Sequence, residues 1–369
     1  MLFAQQDIDA LRLVCWCQYV CPEDLRGVLT ETEYANLIAL KLVRRHEKSG
    51  AITLTRKGRM FLDTTLSKPL PVLAQSYHED AIQRRLRLSR LVLTAYHGGV
   101  NAFISAPEDL ADSPVLFLSA VTRSRGSNPW GSTRIAAIAH LGDLICAMHY
   151  VCPGIGRITL TDELTAFSNQ TAAFQNVRRA FIFAGETYSD ILTELETSIS
   201  ETDGKLISYG DAYQCLQLPV HLLSCDDTGA VQLQIMAAPD YCRRLTKAAL
   251  KSQYQPPPNP AWDALFQGIP FIVAADMDLR RIDAAVEAAR QEGIRQIAIA
   301  ALEGQAEAVL FPRYRDTGRA RVFILTSEAV SEVTGRAPVP YVPPRAQFLT
   351  AEGDVIDAPP LQTSGKTGK

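Results

Sequence analysis

The chain has 369 residues, 47% of them hydrophobic and 21% charged, with a formal net charge of −3. That balance describes a soluble globular protein of two or three domains and excludes a general affinity for polyanions, so any nucleic-acid contact must come from a local basic patch. No apolar run reaches the roughly 18 residues that span a bilayer, and the first residues lack the charged-then-apolar pattern of an export signal. The expected location is the cytoplasm, with no membrane partner and the eight Cys as reduced thiols.

Ile8, Leu11, Leu13, Val14 and Cys17 recur at three- to four-residue spacing and predict a first helix with Asp7 at its N-cap. Pro22 suits the first turn of a short second helix over 22–29, with Glu23 and Asp24 at its positive end. Thr30 followed by Glu33 has the form of a capping box, so a third helix starts there. Tyr34, Leu37, Ile38 and then Lys41 and Leu42 follow at helical spacing. A polar turn through Glu47, Lys48, Ser49 and Gly50 leads to a short alternating strand, Ile52 to Thr55, and Arg56, Lys57, Gly58 and Arg59 open another helix.

The order helix, basic turn, strand, together with the run Leu54-Thr55-Arg56-Lys57-Gly58 and Leu62 four residues on, resembles winged helix-turn-helix regulators of the MarR and PadR kind. Lys41 stands where such proteins often have Gly. The resemblance covers residues 1–67 and implies a third helix in the major groove of double-stranded DNA and a wing resting on the backbone. On that reading Thr32 and Asn36 face the base edges, while Arg44, Arg45, Lys48, Arg56, Lys57 and Arg59 meet phosphates. Glu31 and Glu33 at the start of the helix suit phosphates badly. Winged helices also serve as protein–protein modules, and that alternative stays open.

After the break at Lys68-Pro69-Leu70-Pro71, a long helix over 76–96 carries Arg84, Arg85, Arg87 and Arg90 among leucines. It reads as a connecting helix, in a segment 68–112, that also serves a homodimer; a second basic surface is the sharper reading. From 113 to 336 the pattern is α/β with a mostly parallel sheet and a sub-boundary at the Pro-rich stretch 253–261. Expected elements are strands at 115–118, 158–160, 180–183, 271–274, 297–299 and 322–325, and helices over 132–151, 239–252 and 279–291. A hairpin is expected to turn on Asp226, Asp227, Thr228 and Gly229. Residues 337–369 are Pro-, Ser- and Gly-rich and predict a disordered tail. This layout is similar to accessory or replication-control proteins of bacterial plasmids and mobile elements.

One candidate for catalysis follows the 271–274 strand. Asp276 and Asp278 stand where a strand meets a helix, and two acidic groups one residue apart can share Mg²⁺. The stretch 279–302 resembles the second half of a Toprim domain, and Glu186 after Phe181-Ile182-Phe183 is similar to that family's glutamate. The resemblance implies a Mg²⁺-dependent phosphoryl-transfer enzyme on nucleic acid. Arg280 and Arg281 depart from the pattern, and the competing reading makes Asp276 or Asp278 a helix cap. Cys15, Cys17 and Cys21 lack paired metal spacing, His140 and His149 lack partners at ligand spacing, and Gly154 and Gly156 lack a third glycine, so no metal and no resident cofactor are expected. The loop Gly126 to Arg134, with Arg123, Arg125 and Trp130, suits a phosphate or nucleotide, or else is a surface loop pinned by one buried Trp.

Overall fold

The computed structural model describes residues 4–25, 27–68, 70, 71, 73, 78–124, 128–152, 157–197 and 206–336, and the backbone of 347–349 and 355–357. Helices α1 (Gln5–Cys17), α2 (Pro22–Leu25) and α3 (Glu31–Ala39) precede a hairpin of β1 (Val43–Arg45) and β2 (Ile52–Leu54), and α4 (Arg56–Thr65) closes this N-terminal unit. The long α5 (Glu79–His97) packs on α1 behind it. Asp7 is not the cap of α1. It sits at the third helical position, where its carboxylate accepts from the Ala4 amide, three residues back.

The body then runs β3 (Val115–Leu118), α6 (Ser119–Ser124), β4 (Ala137–Leu141), β5 (Leu144–Tyr150), β6 (Arg157–Ile158), α7 (Leu160–Gln170), β7 (Arg178–Gly185), α8 (Tyr188–Glu196), β8 (Ile207–Ser208), α9 (Tyr209–Cys215) and β9 (Val220–Ser224). After α10 (Asp227–Met236) and α11 (Tyr241–Leu250) come β10 (Ala264–Phe266), β11 (Ile269–Val273), α12 (Leu279–Gln291) and β12 (Ile297–Ala301). The short α13 (Glu303–Gln305) widens into a π-helical Ala306–Arg315, followed by β13 (Ala320–Ile324) and α14 (Ser327–Thr334).

Two sheets result. The first has the order β3-β4-β5-β7-β9, with β4 antiparallel to both neighbours and β5, β7 and β9 parallel. The second has the order β10-β11-β12-β13, with only the β10 edge antiparallel. Four of these seven pairings are parallel, so the α/β class with a mostly parallel sheet holds. The sheets meet where β9 reaches the turn after β11: the Leu222 amide donates to the Met277 carbonyl (3.1 Å). Buried apolar side chains form one continuous core from α1 through α5 into both sheets.

Several expectations are corrected. Of the strand expected at 158–160 only Ile158 lies in β6, and Thr159 already stands at the N-cap of α7. The stretch 132–151 is the β4–β5 hairpin, not a helix. Its strands are buried on both faces, so the apolar run shows no alternation, and it turns tightly at Gly142, whose φ of 59° suits glycine. The acidic turn at 226–229 starts α10: Asp226 caps it by accepting from the Gly229 amide (2.9 Å). Turn residues and N-cap residues are chemically the same set, and α10 is buried nearly all round, which erases its periodicity. The expected tail, 337–369, lies outside the described residues apart from an antiparallel pair, β14 (Gln347–Leu349) and β15 (Val355–Asp357). Gly154 and Gly156 also lie outside them. All eight Cys are free thiols. Among the described residues no helix is long and apolar enough to cross a membrane.

The seam between the sheets is polar and completely buried. Gln232 on α10 donates to the carbonyls of Leu222 (2.8 Å) and Asp276 (3.0 Å) and accepts from the Tyr188 hydroxyl (2.6 Å). Gln305 donates to Gln232 (3.2 Å) and to the Ala275 carbonyl (2.9 Å), and accepts from the Leu302 amide (3.1 Å). Replacing Gln305 with Leu keeps the volume but orphans these buried partners, each worth about 1–3 kcal/mol. The Gln305→Leu variant is therefore expected to lose at least about 1 kcal/mol in urea unfolding; an unchanged midpoint would show that the amides do not hold the seam.

Candidate nucleic-acid interface

The N-terminal unit owes its shape to three local devices. Thr30 and Glu33 form the expected capping box at the start of α3. The Glu33 amide donates to the Thr30 hydroxyl oxygen (3.3 Å), and Glu33 Oε2 accepts from the Thr30 amide (2.7 Å) and hydroxyl (2.8 Å). These hydrogen bonds, the backbone one foremost, hold the exposed Glu33 carboxyl below its ordinary value. Its charge is thereby turned back onto the helix start. The second device is a single antiparallel bridge: Val20 pairs with Ile52 in both directions (3.1 and 2.7 Å) and ties the hairpin to the end of α1. The third is Gly58. A Cβ there would lie 2.2 Å from the Leu42 carbonyl oxygen, so only glycine lets α4 seat on the base of the hairpin.

Of α3, only Leu37 is buried. Thr32, Ala35, Asn36 and Ala39 share one helical face, all exposed and all short. Arg44 and Arg45 on β1, Lys48 at the hairpin tip, and Arg56 and Lys57 at the start of α4 are likewise exposed. Arg44 and Arg56 line one shallow groove with Thr53 and Thr55. Two basic residues have internal work as well. Lys57 donates to the Leu40 carbonyl (3.0 Å), which caps the end of α3, and Arg45 donates to the Tyr34 hydroxyl (3.4 Å).

Arg59 departs from expectation. Its guanidinium pairs with Asp63 (3.0 Å), reaches the Cys15 thiol (3.1 Å) and donates to the Leu70 carbonyl. It is a tie between α4, α1 and the following segment, and every arm of its fork is engaged. The helix expected over 76–96 is α5, and its Ile82, Leu91, Val92, Leu93 and Ala95 are buried inside the chain, where it packs on α1 and α10.

The three carboxylates proposed for Mg²⁺ are not brought together. Glu186 is exposed and pairs with Arg90 of α5, which also reaches Asp24 (3.6 Å). Asp278 accepts from the amides of Arg280 and Arg281 (both 3.2 Å) and caps α12. Asp276 accepts from the Tyr241 hydroxyl (2.8 Å) and the Arg281 guanidinium (3.3 Å), with His221 nearby (3.8 Å). Burial alone would raise the Asp276 carboxyl; Arg281, His221 and Tyr241 outweigh it and hold it low. Burial pushes the Asp278 carboxyl the other way, up. Arg281 in turn is held by Asp263 (3.1 Å), whose other contacts are the Val273 amide (2.7 Å) and the Cys242 thiol (3.3 Å). Arg281, one of the two residues that break the Toprim pattern, thus neutralises Asp276 and Asp263, while the Arg280 guanidinium donates to the Leu216 and Leu218 carbonyls. No group of three or more His, Cys, Asp or Glu among the described residues is placed to hold a metal ion.

Comparison with protein-family models, with curated proteins and with solved structures finds no match for this chain.

Breaking a buried pair by removing one charge costs about 3–5 kcal/mol, whereas Asn keeps a capping oxygen at well under about 1 kcal/mol. Asp276→Asn should therefore destabilise the protein far more than Asp278→Asn, with added Mg²⁺ leaving the wild-type melting temperature unchanged. Because the folded Asp276 titrates below its unfolded value, its contribution is present above about pH 4 and is lost as the pH falls. Denaturant titrations of both variants at two pH values check this. The reverse order of stabilities, or a Mg²⁺-dependent rise abolished by Asp278→Asn, would restore the metal site.

Proposed function

We propose that this protein binds double-stranded DNA through its N-terminal unit, a winged helix-turn-helix, as a regulator or accessory factor of the kind carried by bacterial plasmids and mobile elements. α3 enters the major groove and the β1–β2 hairpin lies along the phosphate backbone. The observation that carries this reading is the exposed face of α3. Thr32, Ala35, Asn36 and Ala39 are short enough for close approach to base edges, and Arg44, Arg45, Lys48, Arg56 and Lys57 frame the helix with positive charge. A protein with a net charge of −3 concentrates five cations around one helix here. The capping box turns the Glu33 carboxylate back onto Thr30, while Glu31 stays exposed at the helix start.

Replacing Arg44 and Arg56 together with Ala should weaken binding to all duplexes alike and lower the slope of log affinity against log salt by about 2. Fluorescence anisotropy at several salt concentrations measures it, and an unchanged slope removes the hairpin from the interface. Asn36→Ala should behave differently. On the preferred sequence, selected from random duplexes, it should cost about 1–3 kcal/mol, and on unrelated duplexes little. Equal losses on both would exclude Asn36 from sequence readout.

A further inference from the structure

Two features that stand about forty residues apart in sequence meet in space. Arg84, Arg85 and Arg87 of α5, Arg123 of α6 and Arg134 before β4 line one cavity of about 430 Å³, within the usual range for ligand pockets. No carboxylate is among the described residues that line it. Arg90, on the same helix, is satisfied by Asp24 and Glu186; the cavity arginines have no such partner in the wall. Behind it Glu163 is fully buried, accepts from the Arg134 amide (2.6 Å) and hydrogen-bonds His149 (3.0 Å). Desolvation pushes the Arg85 guanidinium below its ordinary value, and Arg84 and Arg123 push it further. Arg123 is shifted the same way, first by desolvation, with Arg134 and Arg84 adding to it and Glu163 opposing. Holding like charges together in this way costs stability unless an anion joins them.

A second observation points to a ligand. The Thr133 hydroxyl, on a residue only 5% exposed, and the Tyr150 hydroxyl are both buried in the cavity wall with no hydrogen-bond partner. Buried polar groups are normally satisfied, so unpaired hydroxyls on two residues of this arginine-lined wall mark an incomplete set of contacts. Leu88, Ile135 and Tyr209 supply an apolar wall beside them. Guanidinium forks suit phosphate oxygens, and an apolar, aromatic wall suits a flat base.

We infer that this cavity is a binding site for a free nucleotide carrying a polyphosphate, with the phosphates on Arg84, Arg85, Arg123 and Arg134 and the base against the apolar wall. The site lies on the α/β body and does not depend on the DNA-binding reading. Concavity favours a free nucleotide over a duplex, which is too broad to enter a cavity of about 430 Å³.

The test uses the full chain, with ATP, inorganic tripolyphosphate and a short oligothymidylate as probes in isothermal titration. ATP is expected to bind, more tightly than tripolyphosphate. Arg123→Ala combined with Arg134→Ala, both exposed positions, should weaken it about tenfold or more. Arg44→Ala with Arg56→Ala should leave it unchanged, which separates this site from the N-terminal unit. Thermal melts confirm that the variants fold, and Arg123→Lys with Arg134→Lys should restore part of the affinity by keeping the charge. Absence of ATP and tripolyphosphate binding, or binding indifferent to the arginine variants, overturns the proposal. Oligothymidylate binding that depends on these arginines and that ATP does not compete overturns it too, by assigning the cavity to a strand.

Discussion

Gln232 and Gln305 have no exposed surface, and between them they reach β9, the turn after β11, the end of β12 and α8. Apolar packing alone holds two sheets close but leaves their sliding register weakly specified, because it has no direction. Hydrogen bonds of fixed geometry, in a place where a lost partner cannot be replaced by water, supply that direction. The same seam fixes Met277, whose φ of 52° is unusual for a side-chain-bearing residue; its carbonyl is the one that β9 reaches. Asp276 and Arg281 sit one layer further on and complete the buried polar zone. The seam therefore decides the placement of β11, α12 and everything built on them.

The N-terminal unit depends on the body through different contacts. Trp16 packs edge-on against Phe103 (ring centroids 6.1 Å apart), Arg12 stacks over the same ring (4.1 Å), and Tyr96 donates to Asp9 (3.1 Å). These contacts anchor α1 to the end of α5 and to the segment beyond it. The exposed face of α3, with Thr32, Ala35, Asn36 and Ala39, takes no part in this anchor.

Legibility in the sequence followed how local each determinant is. Thr30 with Glu33 and the bounds of α12 could be read because capping and helical spacing depend on residues within about four positions of one another. Trp130 as the pin of a surface loop could also be read, and its indole does donate inward, to the Thr122 hydroxyl (2.6 Å). The β4–β5 hairpin was misread because burial on both faces removes the period of two, and α10 because burial all round removes the period of 3.6. Gln232 and Gln305 gave no signal: their partners stand 44 and 73 residues away, and a lone Gln in an apolar stretch looks like noise. The arginines of α5 and of the 123–134 loop were each noticed, yet nothing in sequence says that they converge. Arg59 misled for the opposite reason, since a basic residue beside a wing looks solvent-facing until the Cys15 and Leu70 contacts are known.

α5 has one more consequence. Its nineteen residues make a rod about 28 Å long. The anchoring pair Tyr96–Asp9 sits near one end, and the arginine row lies two to three turns back along the same axis. Leu91, Val92 and Leu93 lock the middle into the core, so the rod has no hinge there. Three arginines of the cavity and the contact that seats the N-terminal unit are therefore carried on one continuous helix.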